Sequence, residues 1–189
     1  MGLHEPDHSF FPEFASLSEA TRWFRDLTAD TPWRDDKITL FGKTYAVPRR
    51  TALYGDPGAT YAYSNIHLEP QNWTTLLRKI RIRVEECTDQ RFNAVLLNLY
   101  RDGNDSNGWH ADNELELGAQ PVIASLSLGA TRSMQFKRRD GLAKWSLDLH
   151  EGSLLLMSGD SQSEWLHCIP KQRRIVQPRL NLTFRQVRH

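Results

Sequence analysis

The segment RLNLTFR, residues 179–185, alternates apolar and polar side chains at every step. In an extended chain Leu180, Leu182 and Phe184 fall on one side, and Arg179, Asn181, Thr183 and Arg185 on the other. One face is built for a core and the opposite face for polar contacts. Upstream, short runs of similar character follow one another from Asn93: NAVLLNLY, PVIASLSLG, TRSMQFKR, KWSLDL and SLLLMS. Turn signals separate them at Asp102-Gly103, Asn107-Gly108, Asp140-Gly141, Glu151-Gly152 and Ser158-Gly159. Ahead of this region two helices are legible. Ser16 and Glu19 have capping-box spacing, and Leu17, Ala20, Trp23, Phe24 and Leu27 then keep helical period. A second helix follows Pro70, with Trp73, Leu76, Leu77, Ile80, Val84 and Cys87 as its buried stripe and Arg78, Lys79, Arg81 and Arg83 on its wet side. Many short strands after helices predict an α+β fold, a double-sheet β-roll with the helices packed outside.

The chain has 189 residues, 39% hydrophobic and 25% charged, the composition of one globular domain. No apolar run approaches a membrane span, and the opening MGLHEPDHSFFPEF has neither the basic nor the apolar part of a secretory signal. Cys87 and Cys168 form no metal or redox pattern, so an intracellular, reducing home is expected. The net charge of +1 hides an asymmetry: residues 1–36 carry eight acids against three arginines, whereas the tail from Lys171 carries six basic residues and no acid. Such a local basic surface suits phosphates, although on charge alone a solvated face is the simpler account.

The chemistry-bearing stretch is WHADNE, residues 109–114. His110 and Asp112, two apart, project to the same side of an extended segment. His167, in EWLHCIP, is a third candidate. Two histidines and a carboxylate on one face of a metal leave open positions opposite, the arrangement of non-haem iron oxygenases. Alone, His-x-Asp is common and fits a solvated loop. The polar face of residues 179–185 adds weight. Arginine is expensive to bury without an anion, and two inward guanidinium forks suit a ligand with two carboxylates; 2-oxoglutarate is such a ligand. An edge strand with an exposed polar face also fits that segment by itself. Asn98 and Tyr100 share a strand face and offer uncharged hydrogen bonds to the same ligand.

Taken together, N-x-Y at Asn98 and Tyr100, H-x-D-x-E at His110 to Glu114, His167, and R-x-N-x-T-x-R at Arg179 to Arg185 resemble the AlkB dioxygenases. The resemblance covers roughly residues 37–187. Residues 38–65, ITLFGKTYAVPRRTALYGDPGATYAYSN, are most similar to the branch of that family that repairs double-stranded DNA. The resemblance implies a double-stranded β-helix (jelly-roll) core and one domain over 1–189. Residues 1–65 would supply a helix and nucleotide-recognition hairpins, and 93–187 the catalytic roll. It implies that His110, Asp112 and His167 bind iron(II), and that Arg179, Asn181, Arg185, Asn98 and Tyr100 bind 2-oxoglutarate, with Arg185 at the metal end. With O2 the reaction would hydroxylate an alkyl carbon on a base nitrogen, giving succinate, carbon dioxide, formaldehyde and the restored base. A base must leave the duplex to reach such a site. By resemblance Tyr61, Tyr63 and Ser64 line the base pocket, and Glu114 favours a cationic base of the 1-methyladenine or 3-methylcytosine type. Phe41 and Arg49 match a finger that probes the duplex. Gln172, Arg173 and Arg174 match a basic loop that grips phosphates, with glutamine in place of one charge. Trp109 and Cys168 read as packing residues. The expected partner is alkylated DNA, bound by a monomer, with no membrane. RNA, single-stranded DNA or a non-catalytic damaged-DNA binding module are the competing readings.

Overall fold

The computed structural model describes residues 5–40, 42–63 and 66–188, with backbone alone at 39–40, 61–63 and 66–68. In chain order the elements are β1 (His8–Phe11), α1 (Leu17–Asp30), β2 (Lys37–Leu40), β3 (Lys43–Ala46), β4 (Arg50–Gly55), β5 (Tyr61–Tyr63), β6 (Ile66–Leu68), β7 (Gln71–Asn72), α2 (Thr75–Thr88), β8 (Ala94–Tyr100) and β9 (Asn107–His110). They continue with β10 (Ile123–Gly129), β11 (Arg132–Arg138), β12 (Lys144–Leu149), β13 (Leu154–Met157), β14 (Trp165–Ile169) and β15 (Arg179–Arg185).

The first helix begins where its sequence says it should; the second begins only at Thr75, because Gln71–Asn72 form β7, and Trp73, expected on its stripe, is buried ahead of the N-cap. Ser16 Oγ accepts from the Glu19 amide at 3.4 Å, and Glu19 Oε2 accepts from the Ser16 amide at 3.1 Å, a complete capping box. In α2 the Thr74 hydroxyl accepts from the Leu77 amide at 3.1 Å, which fixes the helix start at Thr75. Ala20, Trp23 and Leu27 of α1, and Leu77, Ile80 and Val84 of α2, form the buried stripes. Leu17 and Cys87, placed on those stripes by period alone, are exposed.

Among the described residues the strands form a seven-stranded sheet, ordered β1-β13-β10-β15-β8-β4-β7, and a four-stranded sheet, β12-β11-β14-β9, plus the hairpins β2-β3 and β5-β6. The larger sheet is covered on both faces. Leu97, Leu126, Leu180, Leu182 and Phe184 pack with the helix stripes. Leu96, Ile123, Leu155 and Met157 pack on the other face with Phe136, Leu149, Trp165 and Ile169 of the smaller sheet. Leu97 and Leu182 are fully buried, so truncating either to alanine costs roughly 2–5 kcal/mol in lost contacts and cavity. The fold is therefore the expected α+β jelly-roll with helices outside.

The roll also recruits segments that local pattern does not reveal. β1 pairs with β13, β4 with β8 and β7 with β4, so the region ahead of α2 contributes three strands to the larger sheet. The metal candidates lie on or beside two further strands of this kind, β9 and β14.

Candidate active site

Strand pairing brings the distant motifs together. β9 and β14 run antiparallel with His110 directly opposite His167, and the two imidazoles lie 4.2 Å apart between centroids. Asp112 sits two residues beyond the end of β9, in a segment without strand partners of its own. Two tethers hold it. Arg185 Nη2 donates to Asp112 Oδ1 at 2.8 Å, and the Asp112 amide donates to Gln162 Oε1 at 2.9 Å. As a result one ligand atom from each of His110, Asp112 and His167 lies within 4.8 Å of the other two.

The electrostatics suit a divalent cation. Burial alone raises the Asp112 carboxyl pKa. The Arg185 guanidinium, with His110 and His167, overcomes that and holds the group far below the usual carboxylate range. Burial, reinforced by His110, holds the His167 pKa down at about 3, so the imidazole is neutral at physiological pH. A carboxylate and a neutral imidazole are the forms that bind metal. His110 Nδ1 is 2.8 Å from the Gly108 carbonyl. Donation there leaves the Nε2 lone pair for a ligand, and Asn107 Nδ2 lies 3.2 Å from it.

The triad opens onto a cavity of about 260 Å³ whose opposite wall is β8 and β15. These strands pair in register, Arg179 with Tyr100 and Asn181 with Asn98. That register is why N-x-Y and R-x-N, some eighty residues apart, meet on one wall. Asn181 Nδ2 donates to Ser125 Oγ at 2.8 Å, and the Thr183 hydroxyl donates to Asn181 Oδ1 at 2.7 Å. Arg185 closes the metal end. Arg179 closes the other end and is only 1% exposed. Its Nη2 donates to Ser127 Oγ at 2.8 Å, and its guanidinium lies 5.4 Å over the Tyr100 ring. Among the described residues its Nε and Nη1 are buried without a hydrogen-bond partner. Burial pushes its pKa down to about 10, still protonated at neutral pH. A buried cation with two idle donors facing a cavity fits a carboxylate ligand, and the residues present fit the dianion that the polar face of β15 implies. Glu114 lines the same cavity.

Other expected site residues divide. Tyr61 and Tyr63 are on β5, paired with β6, but their side chains lie outside the described residues, as do Phe41 and Ser64. Arg173 and Arg174 are exposed in the loop between β14 and β15. Gln172 is different: its Oε1 accepts from Arg132 Nε at 3.0 Å and from the Ser133 amide at 3.1 Å, so it anchors that loop. Arg132, 1% exposed, also donates to the Asp102, Asp105 and Pro170 carbonyls. A Cβ at Gly103 would lie 1.9 Å from the Gln172 carbonyl oxygen, so only glycine admits the loop there. Arg49 departs from the expectation of a surface finger. It is 7% exposed and its Nε donates to Asn98 Oδ1 at 2.8 Å, because the register of β4 on β8 carries the residue ahead of β4 into the cavity wall. Trp109 is not a packing residue. It is 43% exposed, with the Lys137 ammonium 4.5 Å from its ring centre, because His110 faces inward and its strand neighbour must face out. Cys168 is buried as expected. Sequence reasoning misses Gln162 and Arg132: Gln162 lies in the polar run SGDSQSE, whose composition resembles a surface loop, yet it is fully buried.

Two histidines and a carboxylate at one end of an arginine-capped cavity, inside a double-stranded β-helix, define a non-haem iron oxygenase. A family profile described as the 2OG-Fe(II) oxygenase superfamily matches residues 7–185. The mouse protein named DNA oxidative demethylase ALKBH2 is 40% identical over 181 residues, covering 90% of this chain and 76% of its own length. Mouse alpha-ketoglutarate-dependent dioxygenase alkB homolog 3 is 40% identical over 187 residues, covering 94% of this chain and 65% of its own length. The chain thus spans about two thirds to three quarters of these relatives. The solved structure of OsALKBH1 shares the fold, with TM-score 0.68 at 18% identity over 98% of this chain and all of that one. The chain belongs to the 2OG-Fe(II) oxygenase superfamily and, within it, to the AlkB family. It is an enzyme of the dioxygenase class whose reaction uses Fe(II), 2-oxoglutarate and O2.

Proposed function

We propose that this enzyme repairs alkylated DNA by oxidative removal of methyl groups from base nitrogens of the 1-methyladenine and 3-methylcytosine type, with duplex DNA as substrate. The observation that carries the oxidative chemistry is the tethered triad of His110, Asp112 and His167 facing Arg179 across one cavity. The DNA substrate is supported by the relatives named DNA oxidative demethylase.

In this reading His110, Asp112 and His167 would hold iron(II), and the cavity wall formed by β8 and β15 would hold 2-oxoglutarate. Arg185 would bind the carboxylate at the metal end and Arg179 the other one. Asn98, Tyr100 and Asn181 would assist. Bound there, iron(II) with O2 and 2-oxoglutarate supplies the oxidising power that hydroxylates the alkyl carbon, with 2-oxoglutarate leaving as succinate and carbon dioxide. Arg185 also orients a metal ligand, since its bond to Asp112 fixes the carboxylate's direction while leaving Oδ2 4.0 Å from His167 Nε2. Glu114, on the cavity wall, favours a base carrying positive charge or accepts from an exocyclic amine. The hydroxymethyl group on nitrogen then departs as formaldehyde. By the resemblance, Tyr61, Tyr63 and Ser64 would receive the extruded base, and Arg173 and Arg174 would hold phosphates of the opposite strand. The enzyme acts as a monomer inside the cell, where its substrate is. Among the described residues no helix is long and apolar enough to cross a membrane.

The test is mass spectrometry of oligonucleotides with a single 1-methyladenine, as duplex and as single strand, after incubation with enzyme, Fe(II), ascorbate and 2-oxoglutarate. Faster restoration in the duplex supports the proposal. Restoration confined to single strands or to RNA replaces the substrate with one of those.

A further inference from the structure

Among the described residues three arginines line the cavity, and a dianionic cosubstrate accounts for two of them, Arg179 and Arg185. The third is Arg49. It is only 7% exposed, and its Nε donates at 2.8 Å to Oδ1 of Asn98, itself only 5% exposed. Its Nη1 lies 3.5 Å from the Ser106 carbonyl. The pairing of β4 with β8, Thr51 opposite Asn98, fixes this neighbourhood through the backbone.

An asparagine amide has one accepting and one donating end, and the two are nearly the same shape. Next to an anion the choice decides between attraction and repulsion. With Oδ1 held by a guanidinium, Nδ2 is the end left for a carboxylate. The flipped amide would set its NH2 against the Arg49 cation, lose a charge-assisted hydrogen bond, and turn an oxygen toward the anion. Arg49 therefore sets the polarity of Asn98.

We propose that Arg49 is a positioning residue for 2-oxoglutarate: it acts through Asn98, holding the amide so that Nδ2 donates to the cosubstrate. This rests on the reading of Asn98 as a cosubstrate contact. It places Arg49 in the cosubstrate wall instead of on a DNA-probing finger.

The experiment is a double-mutant cycle read by binding, not turnover. 2-Oxoglutarate is titrated calorimetrically into Mn(II)-loaded wild type, Arg49→Met, Asn98→Ala and the double variant, with melting temperatures beside each. Each single variant weakens binding about tenfold, the scale of a hydrogen bond to a charged group, and the double variant is no weaker than Asn98→Ala. Arg49→Gln, which keeps an N–H donor, recovers most of the loss caused by Arg49→Met. If Asn98→Ala binds 2-oxoglutarate normally, the reading of Asn98 fails. If Asn98→Ala weakens binding but Arg49→Met does not, or weakens it by an equal factor in both backgrounds, the inference fails. An unchanged 2-oxoglutarate affinity with weaker binding of a methylated duplex returns Arg49 to the finger. No recovery in Arg49→Gln also overturns the proposal.

Discussion

Replacing Arg179 with methionine should stabilise the cosubstrate-free protein while destroying its affinity for 2-oxoglutarate. Arg179 is 1% exposed and pairs with no carboxylate among the described residues. Two of its donors have no partner among the described residues, each costing about 1–3 kcal/mol when buried. The Tyr100 face returns about 1–2 kcal/mol. Methionine has a similar reach and no charge, so the exchange should gain on the order of 1–3 kcal/mol. In a domain of this size each kcal/mol is worth roughly 2–4 °C, giving a rise in Tm of about 2–12 °C. With cosubstrate the sign reverses. Losing a desolvated charge pair costs roughly 2–5 kcal/mol, a Kd about 30- to 4,000-fold weaker. Wild type should gain stability from saturating 2-oxoglutarate through linkage, and Arg179→Met should not. Thermal melts of the Mn(II) forms with and without 2-oxoglutarate, and calorimetric titration, measure both halves. A variant that melts several degrees lower and still binds 2-oxoglutarate normally would refute the argument that Arg179 waits for an anion.

The remaining expectations concern the metal end and the duplex. His167 is neutral when folded, with its pKa near 3, whereas the unfolded chain takes up its proton near the ordinary value of about 6.5. Folding stability of the metal-free protein should therefore fall as pH drops below about 6.5, by about 2 kcal/mol near pH 5. Urea melts across that range should show this slope in wild type and a shallower one in His167→Asn; equal slopes would remove His167 as the cause. Loss of the depressed Asp112 carboxyl's contribution begins only lower, below about pH 4. Gln162→Leu removes the acceptor that holds the Asp112 amide, and Mn(II) affinity should drop about 10- to 100-fold, with unchanged affinity ruling the tether out. Phe41→Ala should lower turnover on duplex more than on single strands, because a wedge fills the space of an extruded base. Gly42, with φ of +76° and nothing near its Cβ position, suits a tight turn there. An unchanged duplex-to-single-strand ratio would dismiss the finger.

What the sequence makes legible are the parts whose period and chemistry agree. RLNLTFR and NAVLLNLY are strands because one face of each is continuous with a core and the other is polar, and the structure pairs them along their whole length. KWSLDL, residues 144–149, matches β12 to the residue. Other strands are hidden by competing local signals. NGWH reads as a turn at Asn107-Gly108, yet it is β9, held by pairing with β14. RTALYG becomes β4 through its register on β8, a long-range fact with no local trace. That same register explains Arg49: resemblance of a motif gives it a place along the chain, and only strand pairing shows which way it is carried. Gln162 is illegible for another reason. Buried polar residues satisfied by backbone groups look in sequence like the surface residues they resemble in composition.

The most direct test of the central claim couples the cosubstrate to the lesion. Wild-type enzyme, Fe(II), O2 and 2-oxoglutarate are mixed with an oligonucleotide carrying 1-methyladenine, and succinate, formaldehyde and restored adenine are counted together. The account predicts equal amounts of all three, and none from Asp112→Ala, whose triad lacks its carboxylate. Succinate released while the methylated base stays intact, or restored adenine from Asp112→Ala, would contradict it.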